Sequence, residues 1–200
     1  MSSKLLLIIA GVTAFLLGGP YAFAQAPAIP HKTLTPGQKK FQEDLAGWNL
    51  AMKALHTQGQ AALQAELTRE KQPLCPDADN TRSQEICLQS EIEKTSANYK
   101  TFAGVVRSRL ALPAPTFPGA GPAVAGPTGV PLSSAEFVAE FDHNEAEWRR
   151  YSAAQAQAAF DQYKSGTLAP VFEGEAELRL MRIHMHELAI IYGWAFSKPE

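Results

Sequence analysis

Residues 74–99 read LCPDADNTRSQEICLQSEIEKTSANY, and this stretch holds both cysteines of the chain. Through Asn80 it is polar and punctuated by Pro76. From Thr81 onward, Leu88, Ile92, Thr95 and Tyr99 recur at spacings of three and four, and Phe102, Val106 and Leu110 continue the series. That period predicts a helix opening at Thr81, with Gln84 three residues on to complete a capping box. Cys87 then falls in the second turn of the helix, and Cys75 lies just beyond the end of the helix before it. A Cys75–Cys87 disulfide would staple this helix–helix connection and hold residues 76–86 as a rigid surface loop.

The same grammar extends in both directions. Upstream, Thr35-Pro36-Gly37-Gln38 supplies an N-cap, a proline for the first turn and a capping glutamine. Phe41, Leu45, Trp48, Met52 and Leu55 follow at alternating four and three, the stripe continues through Leu63 and Leu67, and Pro73 closes it. Downstream, residues 112–132 read LPAPTFPGAGPAVAGPTGVPL, uncharged and rich in Pro and Gly, which excludes helix and predicts a flexible linker. Ser133 with Glu136 makes a third capping box, and Phe137, Phe141, Trp148, Tyr151, Ala159 and Tyr163 follow until Gly166. Residues 166–174 read as a loop around Pro170. A last helix carries Leu178, Met181, Met185, Leu188 and Tyr192, with Gly193 near its end. The expected fold is all-α: four amphipathic helices arranged as two antiparallel hairpins, with one disulfide and the Pro/Gly-rich linker between hairpins.

The N-terminus sets the compartment. Lys4, an apolar run from Leu5 to Leu17, a Gly18-Gly19-Pro20 break and Ala22-Phe23-Ala24 have the layout of a secretory signal peptide spanning residues 1–24. The break interrupts the run short of the ~20 residues a membrane span needs, so no stable span is expected after cleavage. No Cys stands at the cleavage point to accept lipid. An extended lead (25–34), one helical domain (35–193) and a short tail (194–200) complete the expected layout. Export to the periplasm or the extracellular space makes thiol pairing the ordinary fate of two cysteines. A structural zinc site would need two more soft ligands at recognisable spacing. An EF-hand starting at Asp77 fails because Arg82 stands where Gly is required and Leu88 where Glu is required. The formal net charge is −2, one unit more negative once Lys4 leaves with the signal, so no basic field exists to recruit nucleic acid.

No set of residues reads as catalytic, and no metal or cofactor is expected. Of the five histidines, His184 and His186 are two apart on a helix and point about 160° from each other at ~100° per residue. His186-Glu187 begins like a zinc-protease motif, but Ile190 occupies the place of the second histidine. His31, His56 and His143 stand apart from one another. Glu145 with Glu147, and Glu173, Glu175 and Glu177, read as solvated acids of helix starts and exposed faces rather than a glycosidase pair. Phe137, Phe141, Trp148 and Tyr151 read as core. Arg149 and Arg182 are the interhelical ion-pairing candidates.

Taken in order, several features resemble the LprI-like family of lysozyme inhibitors: Cys75 and Cys87, Tyr99 with Arg107 and Leu110, the EWRRY run holding Trp148, Arg149 and Tyr151, the SGTLAP loop with Gly166 and Thr167, and LRLMRIHMHEL with Arg182. The similarity covers residues 75–192. Further cysteines that the family commonly carries after the Trp motif are replaced here by Ala and acidic residues, and residues 36–72 lie outside the pattern. The resemblance implies a secreted helical domain whose partner is a lysozyme or another peptidoglycan-cleaving enzyme, inhibited by occlusion of its cleft. For the contact surface, the loop closed by the disulfide is the candidate, through Asp77, Asp79, Asn80, Thr81 and Arg82. The competing expectation is a helical envelope protein with a structural or stress role that binds another protein through an exposed helix face.

Overall fold

Thr35, Asn80 and Ser133 each sit in extended backbone with a side-chain oxygen turned onto the N–H group three residues ahead, and each starts a long helix. The computed structural model describes residues 34–119 and 133–194; the expected signal peptide (1–24), residues 25–33 of the expected lead, residues 120–132 of the expected linker and residues 195–200 of the expected tail lie outside them. Four helices follow in order: α1 (Pro36–Glu70), α2 (Thr81–Ala111), α3 (Ser134–Gln162) and α4 (Ala169–Ile191). Among the described residues there is no strand. None of the helices is long and apolar enough to cross a membrane.

The capping boxes at Thr35–Gln38 and Ser133–Glu136 form as the sequence predicts. At α2 the cap falls one residue earlier than expected. Asn80 Oδ1 accepts from the Ser83 N–H at 2.9 Å, and Ser83 Oγ accepts in turn from the Asn80 N–H at 3.1 Å. Asn outranks Thr as an N-cap. Asp79 adds to this, its Oδ1 accepting from the Asn80 amide and from the Ser83 hydroxyl. The start of α4 is also earlier. Residues 169–174, expected as loop, are helical because Pro170 stands in the first turn, where a missing N–H removes no helical hydrogen bond. Gly174 therefore lies inside α4 and lets it approach α2 closely: a Cβ there would sit 3.4 Å from the Ile92 side chain.

α1 and α2 form one antiparallel hairpin, and α3 and α4 form the other. α2 lies centrally, touching all three other helices. Most of the core collects where they meet, with Leu63, Phe102, Val106, Phe141, Met185 and Leu188 almost fully buried. A smaller cluster of Leu88, Val171 and Leu178 packs beside Cys75 and Ile92 at the disulfide end. Trp194, read from sequence as the first residue of a tail, is instead 1% exposed in the main core. Gly193 explains this. With φ at 71° it adopts the left-handed turn that favours glycine, and the Trp194 N–H reaches the Ala189 carbonyl at 2.8 Å, the cap that folds a chain back over a helix end. Of the aromatic stripe on α3, Phe141 is buried and Trp148 half-buried, while Phe137 and Tyr151 are exposed. They point away from the three-helix seam.

Trp194 rests directly on α1, where a Cβ at Gly59 would come within 2.7 Å of its Cζ2 atom. Gly59→Ala is therefore expected to destabilise by about 1–3 kcal/mol through overpacking, although alanine is the better helix former. Gly47→Ala, where a Cβ meets nothing within 4 Å, is expected to stabilise by about 0.5–1 kcal/mol. Urea midpoints of the two variants moving in opposite directions check this.

Candidate functional site

The disulfide joins Cys75 to Cys87 with Cα atoms 5.8 Å apart. Cys75 has φ at 51°, in the left-handed region that costs a non-glycine residue about 1–2 kcal/mol. Two ties hold it there: the covalent bond to α2 and the Ala78 N–H donating to its carbonyl at 3.2 Å. Of the predicted contact residues, Asp77, Asp79, Asn80 and Arg82 are exposed and Thr81 is partly covered. They do not form one homogeneous surface. Asp79 and Asn80 are committed to the α2 cap, and Arg82 pairs with Glu85 at 3.2 Å on the surface, an interaction worth at most about 1 kcal/mol and open to exchange. Asp77 is exposed, as are Leu74 and Ile86. A shallow cleft of about 400 Å³ adjoins the bond, lined by Asp77, Ile86, Glu91 and Lys94.

What fixes this end to the bundle is a carboxylate that the helix pattern did not single out. Glu66 is 1% exposed, three residues after Leu63 on the apolar stripe of α1. Its Oε1 accepts from the Thr95 hydroxyl and from Arg182 Nε, both at 2.8 Å. Its Oε2 accepts from Arg69 Nη1 and Asn98 Nδ2, both at 2.9 Å. Four donors fill the roughly four lone-pair sites of a carboxylate. Arg69 continues to the Glu91 carboxylate and backbone carbonyl, tying the last turn of α1 to α2. Burial pushes the Glu66 carboxyl upward, but the hydrogen bonds from Asn98, Arg182 and Thr95 and the Arg69 charge outweigh it, leaving it below its ordinary range. Arg182 is thus an interhelical pairing residue, as the sequence suggested. Its partner lies 116 residues away.

A second polar cluster joins α2, α3 and α4. Tyr99 donates to Glu145 Oε2, His184 Nε2 lies 2.8 Å from Glu145 Oε1, and His184 Nδ1 lies 3.3 Å from Glu187. Trp148 stacks on the His184 ring, centroids 4.2 Å apart, and also meets Tyr99. The expectation that Glu145 is a solvated acid is corrected here: it is 6% exposed, because its position on α3 faces both neighbouring helices. Burial, then the hydrogen bond and charge of Glu145, hold the Tyr99 phenol well above its usual range, so it remains a donor. Of the motif residues, Tyr99 and Trp148 come together in this cluster, and Arg149 donates from Nε to the Glu145 carbonyl at 3.1 Å. The others are dispersed. Arg107 grips Asp142 through two hydrogen bonds on the surface, Tyr151 faces solvent, and Gly166 and Thr167 lie in the exposed α3–α4 turn.

Beside the cluster, a cleft of about 500 Å³ is lined by Trp148 and Tyr99, with Lys100, Arg149, Glu173 and Glu177 among its charged groups. Burial, and then Glu173, raise the Glu177 carboxyl. Among the described residues, no group of three or more His, Cys, Asp or Glu side chains is placed to hold a metal ion. His186 lies 3.2 Å from Glu70 and His56 stacks on Trp194, so both histidines serve contacts between elements. No protein-family model, characterised protein or solved structure matches the chain.

The Glu66 cluster sets a pH dependence. Its folded-state pKa lies below the unfolded value, so its contribution is complete above about pH 4.5 and is lost as pH falls through the folded pKa. Glu66→Gln, which removes the carboxylate that partly buried Arg69 and Arg182 share and leaves them Glu91 and Glu70, is expected to cost about 1–3 kcal/mol at neutral pH. Its stability should also fall less steeply than that of the parent below about pH 4.5. Urea titrations of both proteins between neutral and acid pH measure the difference.

Proposed function

We propose that the chain is an exported, non-enzymatic LprI-like protein that inhibits lysozyme-type muramidases by inserting its disulfide-tied end into the enzyme's cleft. The observation that carries this reading is the construction of that end. A disulfide, a doubly bonded helix cap and the Glu66–Arg69–Glu91 chain hold it from three sides, while Asp77, Arg82, Leu74 and Ile86 stay at the surface. A surface already fixed in shape loses little conformational freedom on docking. A muramidase cleft presents an ionised and a protonated carboxyl, to which Arg82 and Asp77 are suited by charge. The acidic balance of the chain favours encounter with a cationic enzyme.

The non-enzymatic part of the reading draws on the buried cluster. Both Glu145 oxygens are taken by Tyr99 and His184, so the group best placed for acid–base work is already committed to holding helices together. Docking through α1 receives less support: Trp48 and Met52 are half-buried, leaving Leu50 as an isolated exposed apolar residue on that segment.

The test is lysis of bacterial cell walls by c-type lysozyme in the presence of the oxidised protein, the reduced protein and an Asp77→Ala/Arg82→Ala variant, which spares the α2 cap. Inhibition by the oxidised form is expected to weaken at least about tenfold in the variant, the equivalent of one desolvated charge contact, and to fade on reduction. No inhibition by the oxidised protein overturns the proposal, and inhibition unchanged in the variant removes the loop from it.

A further inference from the structure

Residues 72–78 cross from α1 to α2 with few ties. Among the described residues, no side chain from Gln72 to Ala78 makes a hydrogen bond or an ion pair. The backbone bonds of the segment are local: the Gln72 N–H donates to the Arg69 carbonyl at 3.0 Å and the Ala78 N–H to the Cys75 carbonyl at 3.2 Å. What joins the segment to the bundle is the bond from Cys75 to Cys87. It holds Cys75 with φ at 51°, a left-handed backbone that a residue carrying a Cβ leaves when it is free to do so. Apolar contact adds little. Cys75 packs on the buried cluster of Leu88, Val171 and Leu178, while Leu74 stays 40% exposed.

The helices on either side are held without the bond. Glu66, Arg69 and Glu91 fix the last turn of α1, and the Asn80–Ser83 cap starts α2. Both ends of the connection are therefore secured by noncovalent contacts outside it, and its middle is secured by sulfur. Both cysteines are partly exposed and line the cleft of about 400 Å³ at this end, which places the bond at the surface.

We propose that the Cys75–Cys87 bond is a redox latch: its reduction by a dithiol frees residues 72–78 to swing away from the bundle and uncovers Leu88, Val171 and Leu178, while the four helices stay packed. One thiolate of the dithiol attacks a sulfur of the bond and forms a mixed disulfide, and its second thiolate then displaces the remaining cysteine. The dithiol loses two electrons and closes into its own disulfide; the two cysteine sulfurs gain those electrons and take up the two protons. The latch stands on the fold and does not depend on the muramidase reading.

The experiment treats the oxidised protein with dithiothreitol in the absence of denaturant and of any muramidase. Free thiols, far-ultraviolet circular dichroism, emission of the apolar dye ANS and the rate of tryptic cleavage after exposed Lys71 are followed together. The expected result is release of both thiols with the helical signal retained and a rise in dye emission. Cleavage after Lys71 should accelerate by at least about tenfold, well within the loop-closure constraint that the bond imposes. A Cys75→Ser/Cys87→Ser variant should show the same behaviour without reductant and should not respond to it. Three results on the parent protein overturn the latch: a bond that yields to dithiothreitol only once urea unfolds the chain, a reduced protein that loses its helical signal, or a reduced protein whose dye binding and cleavage are unchanged. None of them depends on a variant folding.

Discussion

A single buried carboxylate organises this bundle. Glu66 receives two donors on each oxygen, and those donors come from α1, α2 and α4. Moving a charge out of water is costly, and the attraction of its partners repays that only when the remaining lone pairs are also satisfied. Here they are, so the arrangement tolerates little change. Rotating α4 by even part of a turn would withdraw Arg182, and sliding α1 along α2 would separate Glu66 from Thr95 and Asn98. The apolar contacts around Leu63 and Phe102 supply bulk stabilisation, but they are non-directional; the Glu66 cluster fixes register.

That register is what makes the disulfide end a defined surface. Arg69, one turn after Glu66, reaches across to Glu91, and the chain then leaves α1, turns at Cys75 in a left-handed conformation and is captured by Cys87. Closing a loop of this size is worth about 3 kcal/mol in the chain-entropy model. The covalent bond and the buried polar cluster therefore act on the same connection from opposite ends. The Tyr99–Glu145–His184 cluster does for the second hairpin what Glu66 does for the first, with Trp148 covering the imidazole.

Features built from near neighbours were legible in the sequence. The caps at Thr35 and Ser133, the apolar face of α2 and the pairing of the two cysteines follow from spacing and side-chain type. Features that depend on distant partners were not. Glu66 lies on the apolar stripe between Leu63 and Leu67, and that placement was the available signal; its donor Arg182 is far away in sequence, and no period connects them. Glu145 looked like one acid among several on α3 because its burial is set by Tyr99 and His184. Trp194 followed a glycine that marked a helix end, and only the capping turn at Gly193 returns it to the core. Within the disulfide loop, sequence identified the polar residues but not their division of labour, with Asp79 and Asn80 building the cap and Asp77 and Arg82 left at the surface.

Hydrogen exchange on the oxidised protein, with and without saturating c-type lysozyme, tests most directly whether this end of the bundle is the recognition surface. If it is, the enzyme adds protection to amides of residues 74–86 and leaves α3 and the first half of α1 unchanged. Protection that falls on those helices instead, or no change at residues 74–86, would contradict the assignment.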